Sequence, residues 1–283
     1  MFKSKGSIII TRLIIFFVIV SMLFPILWIL SLSIRLPEEV NESYLFLIPK
    51  HVSAINYIDA FEFSKKWIGL TFLEMFKNSI IVTLAALLIS IVIASLAGFG
   101  YSNYKFRGKE ISFTILLMSF MLPVQVLLIP LFILLKKFGI LNTYWAVIFP
   151  YVTFSIPIAT LILRGFFEGI PRELKESAKI DGATDFIMFL KIILPLSKPA
   201  IATCLIFLFL EVWNEFLYAL IFLQKSNLQT IPIAIAKIGS GRFHIPLGTY
   251  AASIMITTIP VIIIFLVFQK WFIRGITQGA IKG

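Results

Sequence analysis

Residues 170–199 read IPRELKESAKIDGATDFIMFLKIILPLSKP, and the chain on either side of them is largely apolar. So many charges are costly in hydrocarbon, which indicates that this stretch lies in water beside a membrane. Pro171 suits the first turn of a helix, because its missing N–H needs no partner there. Gly182 accepts backbone angles that other residues resist. The pattern predicts a helix, a turn at Gly182, a second helix, and a stop at Pro195 and Pro199.

The whole chain has the composition of a protein that crosses a membrane several times. It has 283 residues, of which 59% are hydrophobic, and its mean hydropathy is +1.00, well above that of a soluble domain. Its net charge of +11 does not indicate a nucleic-acid binder, since no stretch is long enough to build a soluble basic domain. The single cysteine, Cys204, excludes an internal disulfide. His51 and His244 lack carboxylates or cysteines at ligand spacing, so we expect no metal site.

Six apolar segments are long enough to span a bilayer, since a spanning helix needs about 20 residues. They cover residues 9–34, 78–100, 111–135, 144–163, 200–223 and 249–271. Prolines inside the third and fourth segments predict kinks there. We therefore expect an all-α membrane protein with one transmembrane domain over residues 1–283.

The basic residues divide unequally between the two sides of the membrane. Fifteen of the 25 Lys and Arg residues lie in the N-terminus, the 101–110 loop, the 164–199 stretch and the tail. Basic residues concentrate on the cytoplasmic side of membrane proteins. This bias places both termini and residues 170–199 in the cytoplasm, and the 35–77 loop outside. Residues 57–75 mix aromatic and charged side chains, which favours an interfacial segment over a gate or partner contact.

The motif inside the charged stretch is specific. Glu176-Ser177-Ala178, Asp181-Gly182-Ala183 and Ile193-Leu194-Pro195 follow one another along it. This string resembles the EAA…G…I-LP loop of ABC importer permeases, with Ser177 where the second position is usually alanine. The resemblance implies six transmembrane helices in the ABC importer type I permease fold. It also implies that the loop forms coupling helices, which sit in a cleft of a cytoplasmic ATPase subunit.

Particular residues of this loop are expected to contact the ATPase. They are Glu176, Ser177, Ala178, Asp181, Gly182, Ala183, Phe189, Leu194 and Pro195. Phe186, Phe189 and Leu190 are the expected apolar anchors. The alternative is an ordinary amphipathic loop on the membrane surface, which the order of Glu, Gly and Pro disfavours.

The C-terminal sequence narrows the resemblance to one subfamily. Residues 274–283 read RGITQGAIKG, which resembles the tail of maltose-type, MalG-like permeases. The resemblance implies that Thr277, Gln278 and Gly279 reach the interface between two ATPase subunits. The loop that begins LPEEV at residues 36–40, and the Trp213-Asn214-Glu215-Phe216 string, are also typical of carbohydrate permeases.

The fifth predicted span carries an unusual group of polar residues. Glu211, Asn214, Glu215 and Tyr218 are spaced by three and four, which predicts that they share one helix face. Acids within a membrane normally face a bundle interior or an aqueous cavity. One interpretation is a translocation path that offers acceptors to sugar hydroxyls, with Trp213 or Tyr218 near a sugar face. The other is a contact between permease helices, and the sequence leaves both open.

These expectations combine into one functional hypothesis and one alternative. No G-x-x-x-x-G-K-[ST] sequence occurs, so P-loop ATP hydrolysis must come from a partner. The resemblance implies a permease subunit of an ATP-driven sugar importer in the cell membrane, with no cofactor of its own. Its expected partners are two copies of an ABC ATPase that uses ATP and Mg, a second permease chain, and an extracytoplasmic sugar-binding protein. The alternative is a self-sufficient proton-coupled transporter that uses Glu211 and Glu215 as a relay.

Overall fold

Helices account for all the regular structure in the described part of the chain. The computed structural model describes residues 5–43, 47–240 and 245–280, without the side chains of 5–9, 67–68 and 272–280. Four helices are long and apolar enough to cross a membrane, and two bent pairs of shorter helices bring the possible number to six. The four long helices are Lys5–Ser33, Phe72–Asn103, Trp145–Glu168 and Leu247–Ala280. The expectation of an all-α membrane protein is confirmed.

The shorter elements fill the connections and the bent spans. They are the α-helices Pro37–Glu42, Ile55–Phe63, Lys109–Phe120, Leu128–Lys137, Arg172–Ile180, Asp185–Met188, Leu194–Leu196, Lys198–Trp213, Leu217–Phe222 and Ile231–Gly239, the π-helical turns Ser64–Ile68 and Phe189–Ile193, and the 3-10 turns Val124–Leu127 and Ser226–Leu228.

The third predicted span, residues 111–135, is a broken helix. Helix Lys109–Phe120 is followed by the turn Val124–Leu127 and by helix Leu128–Lys137, and the two halves are bent by 89°. Pro123 explains the break, because it has no N–H and pushes the preceding residue out of helical backbone angles. The predicted kink is confirmed, and it is sharper than a simple bend.

The fourth span is one continuous helix, Trp145–Glu168, in which Pro150 and Pro157 are both buried. Neither proline interrupts it, and the helix ends at Glu168 where the sequence had predicted residue 163. Its buried face is broad and contributes much of the packed interior.

The prediction of a single helix over residues 200–223 is wrong. Helix Lys198–Trp213 ends before residues 214–216, and a second helix, Leu217–Phe222, follows. Glu215 lies at this break, where its carboxylate accepts hydrogen bonds from first-turn N–H groups of the second helix. A side-chain acceptor of this kind stabilises a new helix start, which the apolar pattern does not reveal.

The segment predicted to be interfacial, residues 57–75, divides between elements. It begins in helix Ile55–Phe63 and ends inside the second span, which starts at Phe72. Phe72 and Met75 are fully buried. The second span therefore begins earlier than residue 78, because its first turns pack inside the protein.

The chain divides into two compact units, residues 1–72 with 234–259 and residues 73–233 with 260–283. In the first unit, the buried Asn56 closes the end of the first helix. Its Nδ2 donates to the carbonyl oxygens of Ser33 at 3.1 Å and Arg35 at 2.6 Å. Such bonds satisfy carbonyls that have no partner within the helix. The single domain expected over the whole chain stays a prediction.

In the second unit, the second and fourth spans approach closely at Gly98. A β-carbon added to Gly98 would lie 3.1 Å from the backbone nitrogen of Arg164 and 3.3 Å from Cβ of Leu163. Both neighbours belong to helix Trp145–Glu168. Small residues at membrane helix contacts allow backbones to pack at short distance, so this contact sets the separation of the two spans.

We expect Gly98→Ala to lower thermal stability, because the new methyl group must push two backbones apart. Overpacking of this kind costs about 1–3 kcal/mol, against about 0.5–1 kcal/mol gained from better helix propensity. Gly100→Ala is the matched control, since it lies in the same helix and a β-carbon there meets nothing within 4 Å. Thermal unfolding of the detergent-solubilised chain measures both. An equal or higher melting temperature for Gly98→Ala than for Gly100→Ala would contradict the close contact.

Candidate functional site

The charged stretch folds as a helix, a tight turn and a second helical piece. The first helix, Arg172–Ile180, has Pro171 at its N-cap. At its end the Ala183 N–H donates to the carbonyl of Ala178 at 2.9 Å, and the Gly182 N–H donates to Lys179 at 3.1 Å. These two bonds define a Schellman motif, which closes a helix with a left-handed residue. Gly182 supplies that residue, with φ of 79°, so the turn predicted at Gly182 is confirmed.

The second piece begins at Thr184, which caps it. The Thr184 hydroxyl accepts a hydrogen bond from the Ile187 N–H at 3.3 Å, and helix Asp185–Met188 continues into the π turn Phe189–Ile193. Thr is a preferred N-cap residue because its oxygen satisfies an unpaired first-turn N–H. The chain therefore starts a new helix immediately after the turn.

Proline does not end this piece where the sequence predicted. Pro195 lies inside helix Leu194–Leu196, and Pro199 lies in the first turn of the next helix. Pro195 crowds the carbonyl four residues before it, which explains the wider π winding just upstream. The chain bends by 74° between 185–196 and 198–213, at the buried Ser197.

Three apolar side chains hold the second piece against the rest of its unit. Met188 and Ile193 are fully buried, and Phe189 is almost fully buried. The Phe189 ring lies 5.0 Å from the ring of Phe99 at the end of the second span. The prediction that Phe189 is an exposed anchor for a partner is therefore wrong, because its ring is used within the chain.

Polar contacts fix the same piece from the side. Asp185 accepts a hydrogen bond of 2.7 Å from the Tyr104 hydroxyl and lies 3.7 Å from the Lys179 ammonium. The hydrogen bond to Asp185 raises the pKa of Tyr104, with a smaller contribution from burial. The sequence pointed to neither Tyr104 nor Asp185, since they lie 81 residues apart.

The remaining predicted contact residues separate into exposed and packed groups. The exposed ones are Glu176, Ser177, Asp181, Gly182 and Pro195, whereas Ala178 is buried and Ala183 and Leu194 are partly buried. Two apolar side chains project most strongly from the turn, Ile180 at 86% exposure and Phe186 at 63%. The sequence analysis predicted Phe186 as an anchor but missed Ile180. An isoleucine next to Asp-Gly in a charged helix could have indicated an exposed apolar residue.

The first helix of the loop is tied to the end of the fourth span. Lys175 donates from Nζ to the carbonyl of Phe167 at 3.2 Å. A cation at a helix C-terminus is favourable because the carbonyls there carry partial negative charge. Burial lowers the pKa of Lys175, and the neighbouring Arg172 adds to this effect. The fourth span and the loop are thus joined by more than the connecting backbone.

Arg164 links the fourth span to the third. Its guanidinium contacts Glu110 at 2.9 Å and Glu168 at 2.8 Å, and it stacks 4.1 Å from the ring centroid of Phe113. Paired hydrogen bonds to carboxylates are stronger than single neutral ones. The ends of the two spans are therefore joined beside the loop.

The polar residues of the fifth span do not share one face, which corrects the prediction from their spacing. Glu211 and Asn214 are exposed, whereas Tyr218 is fully buried and Glu215 is partly buried. The helix stops at Trp213, so residues after it no longer follow the same 3.6-residue periodicity. Trp213 is buried and stacks on Phe209 with ring centroids 5.4 Å apart, so its ring serves packing.

Glu215 binds groups of its own chain. Its carboxylate accepts from the N–H groups of Tyr218 at 2.8 Å and Ala219 at 3.2 Å, and also from the Tyr151 hydroxyl. The Tyr218 hydroxyl in turn donates to the carbonyl of Val124 at 2.8 Å. The breaks in the third and fifth spans are thus joined through one tyrosine, and the sequence gives no signal for Tyr151.

The exposed polar pair lies on a continuous surface stripe. Phe207, Leu210, Glu211 and Asn214 are all exposed, and their spacing of three and four places them on one face of helix Lys198–Trp213. The Asn214 amide donates to the carbonyl of Leu210 at 2.8 Å. Of the predicted path residues, only Glu211 and Asn214 therefore present polar groups outward.

The tail predicted to contact the ATPase continues the last long helix. Helix Leu247–Ala280 includes the backbone of Thr277, Gln278 and Gly279. Their side chains lie outside the described residues, so the predicted contact stays a prediction.

The chain thus combines an exposed, firmly attached loop with membrane spans that are broken within the bundle. Residues 90–278 match the family described as the inner membrane component of binding-protein-dependent transport systems. The chain belongs to this family. A member of it is a component of a membrane transporter.

Relatives match over nearly the whole chain. The trehalose transport system permease protein SugB of Mycobacterium tuberculosis is 36% identical, with 92% of this chain and 93% of the relative aligned. The trehalose/maltose transport system permease protein MalG of Thermococcus litoralis is 34% identical, with 92% of each aligned. The probable ABC transporter permease protein YurM of Bacillus subtilis is 34% identical over 95% of this chain and 86% of its own length.

Solved structures confirm the expected permease fold. A chain of a bacterial ABC transporter involved in the import of the acidic polysaccharide alginate superposes with a TM-score of 0.81 at 23% identity, covering 96% of this chain and 99% of that chain. A chain of the alginate transporter in complex with an alginate pentasaccharide-bound periplasmic protein gives 0.67 at 16% identity, covering 93% of each. None of these findings supports the proton-coupled alternative.

We expect Tyr151→Phe and Glu215→Gln to be strongly coupled in stability. Tyr151→Phe removes the hydroxyl donor and Glu215→Gln replaces the charged acceptor of the same part-buried contact, so the double variant should lose less stability than the two single losses added together. Coupling between directly bonded groups is about 0.5–3 kcal/mol. Unfolding of the four proteins of this cycle in detergent measures it. Tyr151→Phe with Asn214→Ala is the control cycle, since Asn214 is exposed, and strict additivity in both cycles would contradict the Glu215 contact.

Proposed function

We propose that the chain is a permease subunit of an ATP-driven carbohydrate importer, and that residues 172–196 carry the force of ATP binding into the membrane. The observation that carries this proposal is the loop itself. It projects Ile180 and Phe186 into solvent, yet Phe189 and Lys175 fasten it to the second and fourth spans. A projection that is both exposed and rigidly attached can transmit movement.

The exposed side of the loop suits a soluble protein partner. Glu176, Lys179 and Asp181 are exposed near the exposed apolar side chains of Ile180 and Phe186 in the sequence. Apolar anchors with a polar rim are typical of protein–protein contacts. The partner in this proposal is a cytoplasmic ABC ATPase, present in two copies, with one copy holding this loop in a cleft.

ATP chemistry belongs to that partner. This chain has no Walker A sequence, so the ATP and Mg²⁺ that drive transport are bound by the ATPase subunits. Thr277, Gln278 and Gly279 are the proposed second contact, reaching between the two ATPases. When the ATPases close on ATP, the loop moves, the spans rock, and access to the path changes sides.

The transported class is a carbohydrate. The relatives SugB and MalG carry trehalose and maltose in their names, which supports this class without specifying the sugar. Glu211 and Asn214 are the residues we propose to face the path, because their polar groups are the outward ones on helix Lys198–Trp213. Carboxylate and amide oxygens accept hydrogen bonds from sugar hydroxyls.

The importer requires further subunits and one orientation. We propose a second, different permease chain that completes the path, and an extracytoplasmic binding protein that delivers the sugar. Both termini and the 172–196 loop lie in the cytoplasm in this proposal, as the distribution of basic residues supports.

Changing the charge of the loop should uncouple ATP hydrolysis by the complex from sugar uptake. We expect Glu176→Lys and Gly182→Asp to reduce sugar uptake by roughly tenfold or more, since losing about 1.4 kcal/mol of contact energy weakens binding tenfold. Both proteins should still insert, because both positions are exposed, although Gly182→Asp also strains the left-handed backbone of the turn. Uptake and ATPase activity of the reconstituted complex are the two measurements.

Glu173→Lys is the matched control. It makes the same charge change one turn earlier in the same helix, at an exposed position outside the proposed contact. It should retain uptake close to that of the original protein. Normal uptake in both Glu176→Lys and Gly182→Asp would overturn the docking proposal.

A further inference from the structure

A cationic turn lies between the second and third spans. Lys105 and Arg107 are exposed and Lys109 is partly exposed, so three positive charges fall within five residues. Two aromatic side chains stand among them, Tyr104 at 42% exposure and Phe106 at 49%. We call residues 104–109 the basic turn.

The carboxylate nearest in sequence to the basic turn is engaged elsewhere. Both oxygens of Glu110 bind the Arg164 guanidinium, at 2.9 and 3.2 Å. Among the described residues, no carboxylate forms an ion pair with Lys105, Arg107 or Lys109. The three cations of the turn are therefore free to form ion pairs with an anion from outside the described chain.

The position of the basic turn restricts which anion can pair with its positive charge. It directly follows helix Phe72–Asn103 and directly precedes helix Lys109–Phe120, so it stands where two apolar segments leave the membrane. Tyr and Trp rings favour the level of the lipid headgroups, and long basic side chains reach the same level. Next to the turn, Ile111 is 69% exposed and suits contact with acyl chains.

We propose that the basic turn binds the headgroup of an anionic phospholipid. Lys105 and Lys109 line an open groove together with Phe106, Gly108, Glu110 and Ile111, and Arg107 is exposed between them in sequence. The cations bind the phosphate, and the apolar side chains lie along the start of the acyl chains. Charge complementarity and the membrane boundary both favour a lipid over a soluble anion.

The bound lipid lies beside the proposed coupling loop. Tyr104 belongs to the basic turn and also donates its hydroxyl to Asp185. Arg164, which binds Glu110 beside the turn, lies near the end of the fourth span. The lipid site is therefore continuous with the contacts that hold the loop, although its existence does not depend on the proposed function.

Retention of phosphatidylglycerol tests the proposal directly. The full chain, purified from membranes in a mild detergent, is analysed by native mass spectrometry after incubation with phosphatidylglycerol or phosphatidylcholine. We expect selective retention of phosphatidylglycerol. Each cation near an anionic surface contributes about fivefold to binding, so Arg107→Gln should weaken retention about fivefold and the triple variant K105Q/R107Q/K109Q by well over tenfold.

Lys136→Gln with Lys137→Gln is the matched control. Both lysines are exposed. They lie in the last turn of helix Leu128–Lys137, where the partial negative charge of the backbone carbonyls already offsets their positive charge. The control should retain phosphatidylglycerol as the original chain does, and thermal unfolding confirms that each variant is folded. Equal retention by the triple variant, equal loss in the control, or displacement of the lipid by millimolar inorganic phosphate would overturn the proposal.

Discussion

The contact between Phe189 and Phe99 is the interaction on which the arrangement of this molecule depends. It joins a loop that reaches into water to the end of a membrane span. With Met188 and Ile193 fully buried beside it, the loop is packed like a core element although its outer surface is exposed. Lys175 and Tyr104 add polar bonds on two sides. A loop held in this way cannot move without moving the spans to which it is attached.

A second constraint governs the broken spans. Backbone polar groups in hydrocarbon must find partners within the protein, and each break in a helix leaves several of them free. Glu215 accepts two of these N–H groups, and the Tyr218 hydroxyl donates to a carbonyl at the other break. Glu215, one of the two acids in the proton-coupled alternative, thus joins neighbouring helices through hydrogen bonds. Glu211, which remains exposed, is the acid available for contact with other molecules.

Local signals explain which features the sequence could predict. Hydropathy located the four long helices and the two regions where shorter helices form bent pairs, because a long apolar run has few other uses. The turn at Gly182 was predicted because the preference of glycine for a left-handed backbone conformation is a local signal. The resemblance of the loop to importer permeases likewise rested on short spacings.

Long-range contacts explain the failures. Phe189 looked like an exposed anchor because Phe99, which covers it, lies 90 residues earlier. The fifth span looked continuous because its break depends on Glu215 and on Tyr151, 64 residues away. Spacing by three and four places residues on one face only while the helix persists. Burial of Trp213 was hidden partly for the same reason: Phe209 lies in the same helix, but its other aromatic neighbour, Phe76, belongs to the second span.

The central claim is that the loop and the fourth span move as one body, and a distance measurement between them tests it most directly. Cys204 is the single cysteine and is buried, so its replacement by alanine leaves a background for two spin labels, at the exposed positions Glu173, outside the proposed partner contact, and Thr153. Double electron–electron resonance then measures the distance between the two spin labels in the assembled transporter, with and without a non-hydrolysable ATP analogue. The account predicts the same separation in both states. A change of about 5 Å, the rise of one helical turn, would show that the loop slides on the bundle and would contradict the account.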